Sequence, residues 1–214
     1  SDYTIREYIC NFIMSTLETN LIQPSTGTSL TIGASGDTIT IPSGATITNS
    51  GTASGFGGIT MADQWRLTTN LTGVTSQYIT ANLEQIDSSG QGTIGTAMSE
   101  SSGVFTFPST GIYLVGFSLY VYASGNDGFV DAEVHVTTNN SAYAEVANAT
   151  AGIYMGSTGD TVGNSSLAQT LIDVTDTSNV KVKFYVDTLN SSTYVTGSTS
   201  ATKTGFTFIR LGDT

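Results

Sequence analysis

Two runs in the second half of the chain alternate between apolar and polar residues. They are VDAEVHV, from Val130 to Val136, and VKVKFYV, from Val180 to Val186. Successive side chains of a strand point to opposite faces, so this alternation predicts strands with one buried and one solvated side. The only histidine, His135, falls on the solvated side of the first run.

A third run, IYLVGFSLYVY, is apolar on both faces. One face carries Tyr113, Val115, Phe117, Leu119 and Val121, and the other carries Ile112, Leu114, Tyr120 and Tyr122. A strand of an antiparallel sandwich needs apolar cover on only one face. We therefore expect the second face to be covered by a neighbouring subunit.

The first residues have helical spacing. The apolar positions recur every three or four residues, at Ile5, Ile9, Phe12, Ile13, Leu17 and Leu21. This spacing predicts a helix that ends before Pro24. Two interpretations stay open. The helix is either an anchor or three-stranded zipper that docks the chain on a larger body, or a short helix that packs on its own domain. Cys10, the single cysteine, lies beside this stripe and predicts an inert buried thiol and no intrachain disulfide.

A short repeat follows. SGDTITIP is succeeded directly by SGATITNS, and TGTSLTIGA precedes both, which places Leu30, Ile39 and Ile47 at matching positions. Each unit is a glycine turn plus a few strand-prone residues, and one copy alone cannot bury its apolar face. We therefore predict a helical anchor over 1–24, a thin repetitive β shaft with a Gly-rich joint over 25–58, and an all-β domain over 59–214.

The charge balance restricts the partners. The chain has 17 acidic and 6 basic side chains, a net charge of −11. Phosphate backbones and anionic membrane surfaces would repel it, so we expect neither nucleic-acid binding nor membrane insertion. No D-x-D-x-D-G loop supports calcium, and no cofactor is expected. The N-terminal residues lack the features of a signal peptide, so we expect synthesis in the cytoplasm.

No catalytic constellation is visible, and the sequence predicts a protein that is not an enzyme. His135 has no nucleophile near it in sequence, and a hydrogen-bonded strand histidine is the favoured interpretation. Six acidic residues would serve as glycosidase carboxylates only if the fold paired them: Glu84, Asp87, Asp127, Asp160, Asp173 and Asp176. Five polar residues suit either sugar binding or turns, and we favour turns: Asn126, Asn139, Asn140, Tyr143 and Asn190.

The segment GVFTFPSTGIYLV resembles the hallmark of the complement C1q and tumour-necrosis-factor-like jelly rolls. The matching positions are Gly103, Phe105, Thr106, Pro108, Gly111 and Tyr113. LIDVTDTSNVKVKFYV resembles the late hairpin of that family, and TGFTFIRL resembles its closing strand. The resemblance implies an antiparallel ten-stranded jelly-roll sandwich that packs as a trimer around a threefold axis.

DTITIPSGATITNSGTA and ADQWRLTTNLTG resemble segments of bacteriophage virion proteins, notably fibres and surface appendages of marine phages. This resemblance implies a homotrimeric fibre or capsid decoration at the virion surface, made in the bacterial cytoplasm, whose C-terminal knob contacts a host-surface glycan or protein. The expected trimer interface is Leu30, Ile39, Ile47, Ile112, Leu114, Tyr120 and Tyr122. The expected anchor to a capsid or tail protein is Ile5, Ile9, Phe12, Ile13 and Leu17. The alternatives are a purely structural cement or head fibre, and a polysaccharide depolymerase.

Overall fold

A computed structural model describes residues 22–48, 58–72, 76–155, 157, 160–187 and 190–214. The chain divides into two compact units, Ser1–Ser54 and Gly55–Thr214. The predicted N-terminal helix lies outside the described residues.

The described part of the first unit, residues 22–48, consists of turns and extended chain. The Asp37 N–H donates to the Ala34 carbonyl at 3.0 Å, and the Ala34 N–H donates to Asp37 Oδ2 at 2.7 Å. A second turn joins Pro42 to Ala45 through an N–H···O bond of 3.1 Å. These are the turns predicted by the repeat, but within residues 22–48 no strand forms between them. The β shaft therefore stays a prediction about the assembled protein.

The second unit is built of β-strands. In the described residues they are β1 Met61–Leu67, β2 Gln77–Tyr78, β3 Leu83–Gln85, β4 Ser99–Ser101, β5 Val104–Thr106, β6 Gly111–Ala123, β7 Asp131–Thr137, β8 Ala144–Thr150, β9 Val162–Val174, β10 Lys181–Asp187, β11 Thr193–Val195 and β12 Gly205–Gly212. No helix occurs among the residues described, and hence none that is long and apolar enough to cross a bilayer.

The strands form two antiparallel sheets of six. In the first, sheet A, one edge of β6 pairs with β9 along its whole length, and the other edge pairs with β12 and, farther along, with β11. β12 also pairs with β1, which pairs with β3. In sheet B the order is β4, β5, β10, β7, β8, and β2 pairs with the far end of β10. The strand count exceeds the expected ten because short segments such as β2 and β11 pair only with the ends of longer strands.

The core lies between the sheets and is rich in phenylalanine. Phe206 of sheet A lies 4.3 Å from Phe184 of sheet B and 5.2 Å from Phe117, measured between ring centroids. Phe105 lies 5.2 Å from Phe208. All five rings are almost completely buried. Aromatic rings each bury a large apolar area, so this cluster is the main contact that holds the two sheets together.

The predicted alternation is confirmed by the burial of β10 and only in part by that of β7. There a β-bulge lies at Val134 and His135, Glu133 on the predicted solvated face is only 7% exposed, and Val136 on the predicted core face is half-buried. In β10, Val182, Phe184 and Val186 face the core, while Lys181, Lys183 and Tyr185 are only half-buried. In β6 the face from Tyr113 to Val121 is fully buried. The observed ends of β7 and β10 differ from the predicted runs by one residue.

The family-like segment supplies the turns that lead into β6. Ser102 and Gly103 form the two-residue loop between β4 and β5, with φ of +52° and +79°. Positive φ at both positions is the requirement of a type I′ hairpin. A Cβ at Gly103 would lie 2.3 Å from the Ile79 carbonyl oxygen, so glycine is also needed for space. Farther on, the buried Tyr113 hydroxyl donates to the Ser109 carbonyl at 2.9 Å, which ties the preceding loop to β6.

Candidate functional site

The outward face of sheet A carries apolar side chains toward both ends of β6, separated by Gly116 and the exposed Ser118. Along β6 this face carries Ile112, Leu114, Tyr120 and Tyr122, all half-buried in the single chain. These are the four residues of the second unit that the sequence predicts as trimer interface. Their inward neighbours fill the core, so the sandwich itself provides no second layer over this face.

The strands beside β6 widen the apolar area. Leu171 of β9 is the register partner of Leu114 and is 61% exposed. Leu167 is 53% exposed and lies four residues earlier, on the same face. On the other side Ile209 of β12 is paired with Leu114. We call Ile112, Leu114, Tyr120, Tyr122, Leu167 and Leu171 the sheet A face.

Sequence analysis did not select Leu167 and Leu171. The signal was present, since two leucines occur at an even spacing in the otherwise polar run NSSLAQTLID. What the sequence could not provide was the pairing of β9 with β6, which puts these leucines beside Leu114 and Ser118.

Tyrosine rings pack together at one end of the sheet A face. The Tyr122 and Tyr194 rings lie 5.2 Å apart, and the Lys203 ammonium lies 5.7 Å from the Tyr120 ring centre. Burial, with smaller contributions from Tyr122 and Tyr120, raises the pKa of Tyr194 above its ordinary value. The Tyr194 phenol is therefore neutral at physiological pH, which suits an association surface.

The remaining interface residues predicted from the sequence lie in the first unit. Leu30, Ile39 and Ile47 are 45%, 60% and 54% exposed. Each therefore leaves about half of its surface open in the single chain, as expected for a repeat unit that cannot bury its own apolar face. The predicted anchor residues, from Ile5 to Leu17, lie outside the described part of the chain.

Two of the six acidic candidates meet, but around an arginine. The Arg66 side chain is completely buried and donates to Glu84 Oε1 at 2.6 Å and to Asp87 Oδ1 at 2.5 Å. Burial acts to lower the pKa of Arg66, yet the hydrogen bonds and charges of the two carboxylates together raise it above its usual range. Both carboxylates are thus occupied by a structural ion pair.

The other acidic candidates that have hydrogen bonds serve loops. Asp127 Oδ2 accepts from the Thr193 hydroxyl at 2.6 Å, and Asp176 accepts from the Ser178 N–H of its own turn at 2.7 Å. Among the described residues, no group of three His, Cys, Asp or Glu side chains is arranged to hold a metal ion. Asp127 and Asp176 thus act as hydrogen-bond acceptors for the loops around them.

The asparagines singled out in the sequence make turns. Asn139 Oδ1 accepts from the N–H groups of Ser141 and Ala142, each at 3.0 Å. Asn140 has a φ of +54°, and Asn126 Oδ1 accepts from the Met155 N–H at 2.7 Å. These contacts support the turn interpretation for Asn139 and Asn140, whereas Asn126 ties its loop to a residue 29 positions later.

His135 belongs to a group of aromatic and charged side chains on the outward face of sheet B. Its Nε2 lies 2.6 Å from Glu133 Oε2 and its Nδ1 lies 2.8 Å from the Tyr78 hydroxyl. Burial, then Tyr185 and Glu133, raises the pKa of Tyr78. Tyr78, His135 and Glu133 thus form a hydrogen-bonded row on this face. We call Tyr78, Glu133, His135, Tyr143, Lys183 and Tyr185 the sheet B cluster.

Comparison with known proteins identifies the fold. No family model and no curated protein matches the chain. Murine APRIL, in its crystal structure at pH 5.0, is 10% identical, with a TM-score of 0.51, over 71% of this chain and 98% of APRIL. The Eiger TNF from S. frugiperda is 13% identical, also with a TM-score of 0.51, over 73% of this chain and 95% of Eiger. The second unit therefore has a TNF-like jelly-roll fold, as the motif from Gly103 to Tyr113 predicts.

Proposed function

We propose that this chain is a non-enzymatic, homotrimeric structural protein of a bacteriophage virion, a short fibre or capsid decoration. Its jelly-roll domain is the knob, which projects outward for attachment to the host surface. Residues 25–58 form the shaft, and the N-terminal segment binds a capsid or tail protein.

The sheet A face is the observation that carries the proposal. Leu167 and Leu171 are more than half exposed beside a half-buried row of isoleucine, leucine and tyrosine. An apolar patch of this kind on a soluble domain is typical of a protein–protein contact. A closed ring of identical chains covers the sheet A face of every copy without any other partner. The resemblance to trimeric jelly rolls favours a ring of three subunits.

The first unit supports the same symmetry. Leu30, Ile39 and Ile47 recur at matching positions of a repeat and are all exposed in one chain. Three parallel copies around one axis bring equivalent residues together, which provides a core that the single chain lacks.

The virion assignment rests on the resemblance of two segments, Asp37 to Ala53 and Ala62 to Gly73, to phage appendage proteins. The net charge of −11 agrees with a role outside the nucleic-acid compartment, since an acidic surface is repelled by packaged DNA.

Two measurements test the proposal. Light scattering of the full chain should give about three times the chain mass of 22.2 kDa over a wide concentration range, whereas a monomer would refute the assembly. Mass spectrometry of purified virions should detect the protein, and free protein added to host cells should reduce infection. Presence in the virion without such competition would indicate a purely structural decoration.

A further inference from the structure

The sheet B cluster contains a lysine that is held by aromatic rings. The Lys183 ammonium lies 3.9 Å from the centre of the Tyr78 ring and 5.2 Å from that of Tyr143. An ammonium over a tyrosine face is attracted by the ring quadrupole. Lys183 is half-buried, and the two rings position its ammonium.

The two arginines of the domain form ion pairs. Arg66 is neutralised by Glu84 and Asp87, and Arg210 is paired with Asp213. In the described part of the chain, Lys183 and Lys181 form no salt bridge, and both lie on the outward face of β10, two residues apart. On a chain with a net charge of −11, this pair of lysines is a local positive site.

A carboxylate on β7 belongs to the same surface. Glu133 lies opposite Tyr185 in the β7–β10 ladder, its Oε2 lies 2.6 Å from His135 Nε2, and the residue is only 7% exposed. His135 is the direct register partner of Lys183. The Glu133 carboxylate is thus engaged by the histidine, and among the described residues no salt bridge joins it to Lys183. Glu145 is paired with His135 from β8, so it lies one strand farther from Lys183.

The aromatic rings around Lys183 are fixed in place. Tyr78 and Tyr185 pack edge to face at 4.9 Å, and the His135 ring stacks on Tyr185 at 5.4 Å. The hydrogen bond from Tyr78 to His135 adds a directional restraint. Half-buried tyrosines of this kind provide a rigid contact surface with hydroxyl groups at its rim, at little cost in conformational entropy.

We propose that the sheet B cluster binds an acidic saccharide. The anionic group of the sugar pairs with Lys183, with Lys181 adding to the local potential, and the sugar ring packs against Tyr143. A single lysine point charge beside tyrosine hydroxyls suits one carboxylate, sulfate or phosphate on a sugar ring, while polyanions are repelled by the rest of the chain. This inference rests on the attachment role proposed above but not on the trimer. Three copies of the site on one particle would raise the avidity.

The test uses the full-length protein and titration calorimetry with three trisaccharide probes: trigalacturonic acid, a sulfated galactotriose and neutral galactotriose. We expect an acidic probe to bind and the neutral one not to bind. Lys183→Met should weaken binding about tenfold or more, the usual effect of losing a charged hydrogen bond. Lys203→Met is the matched control, since it removes a lysine that lies over Tyr120, on the other sheet, and should leave the affinity unchanged.

Each outcome decides the matter. Binding of either acidic probe that is lost in Lys183→Met and retained in Lys203→Met supports the site and identifies its anion. Equal binding of the neutral probe, or binding unaffected by Lys183→Met, overturns it. If Lys183→Met fails to fold, as judged by mass and melting temperature, Lys181→Met replaces it and should weaken binding by a smaller factor. Absence of binding by a protein of trimeric mass refutes this site alone, and the proposed assembly stands.

Discussion

Leu171→Glu is the substitution that most directly tests the sheet A face. Leu171 is 61% exposed and lies beside Leu114, within the proposed contact. In a single chain the new carboxylate points into water, so the fold of the monomer should tolerate it. In a trimer it would be buried against apolar side chains of the next subunit, where an unpaired charge is strongly disfavoured.

The magnitude follows from the exposed fraction. Burying a whole leucine side chain contributes about 1.5–3 kcal/mol, so covering the 61% that remains exposed contributes about 1–2 kcal/mol per copy. Three copies give about 3–6 kcal/mol per trimer, and each 1.4 kcal/mol corresponds to about tenfold in the dissociation constant. The loss of apolar burial alone should therefore raise the trimer dissociation constant by about a hundred- to ten-thousand-fold, and burial of the charge adds to this.

Sedimentation equilibrium of the wild type and the variant over a dilution series measures the change. Val146→Glu is the control, because it introduces the same charge at an apolar residue of β8 in sheet B that is 49% exposed. The reasoning is refuted if Leu171→Glu remains trimeric at the same dilution as the wild type, or if both variants dissociate alike.

Three further predictions concern stability. Phe105→Ala removes a fully buried ring that contacts both sheets, so it should lower the free energy of unfolding by about 3–5 kcal/mol in urea titrations. An effect below about 1 kcal/mol, the size expected of a surface mutation, would contradict this packing. Gly103→Ala places a methyl group against the Ile79 carbonyl at a φ of +79°, so it should cost more than about 1 kcal/mol, whereas Gly92→Ala, where the space is open, should not. The raised pKa of Tyr78 means that the folded state holds the phenolic proton more tightly than the unfolded state, so this contribution is complete below about pH 10 and is lost as the pH rises further. Tyr78→Phe should accordingly flatten the loss of stability as the pH rises above about 10, and an unchanged slope there would count against the burial of this phenol.

The sequence alone was sufficient for the fold class. The alternation in β10, and in part that in β7, identified which residues face the core, and the resemblance of the motif from Gly103 to Tyr113 to the C1q and TNF-like family pointed to the jelly roll. It also showed that the run from Ile112 to Tyr122 has two apolar faces, only one of which a sandwich can bury. These features are local, because a period of two and a turn with positive φ are determined by residues close together in the chain.

Only the tertiary structure decided which distant residues meet. Leu114 and Leu171 are neighbours because β6 pairs with β9, and Tyr78 reaches His135 across 57 residues of chain. The buried Arg66 pairs with Glu84 and Asp87, which follow it by 18 and 21 residues in the chain. Periodicity tells which face of a strand a residue occupies but not which strand lies beside it. Strand order depends on how the whole chain packs its core, and this packing creates both the sheet A face and the sheet B cluster.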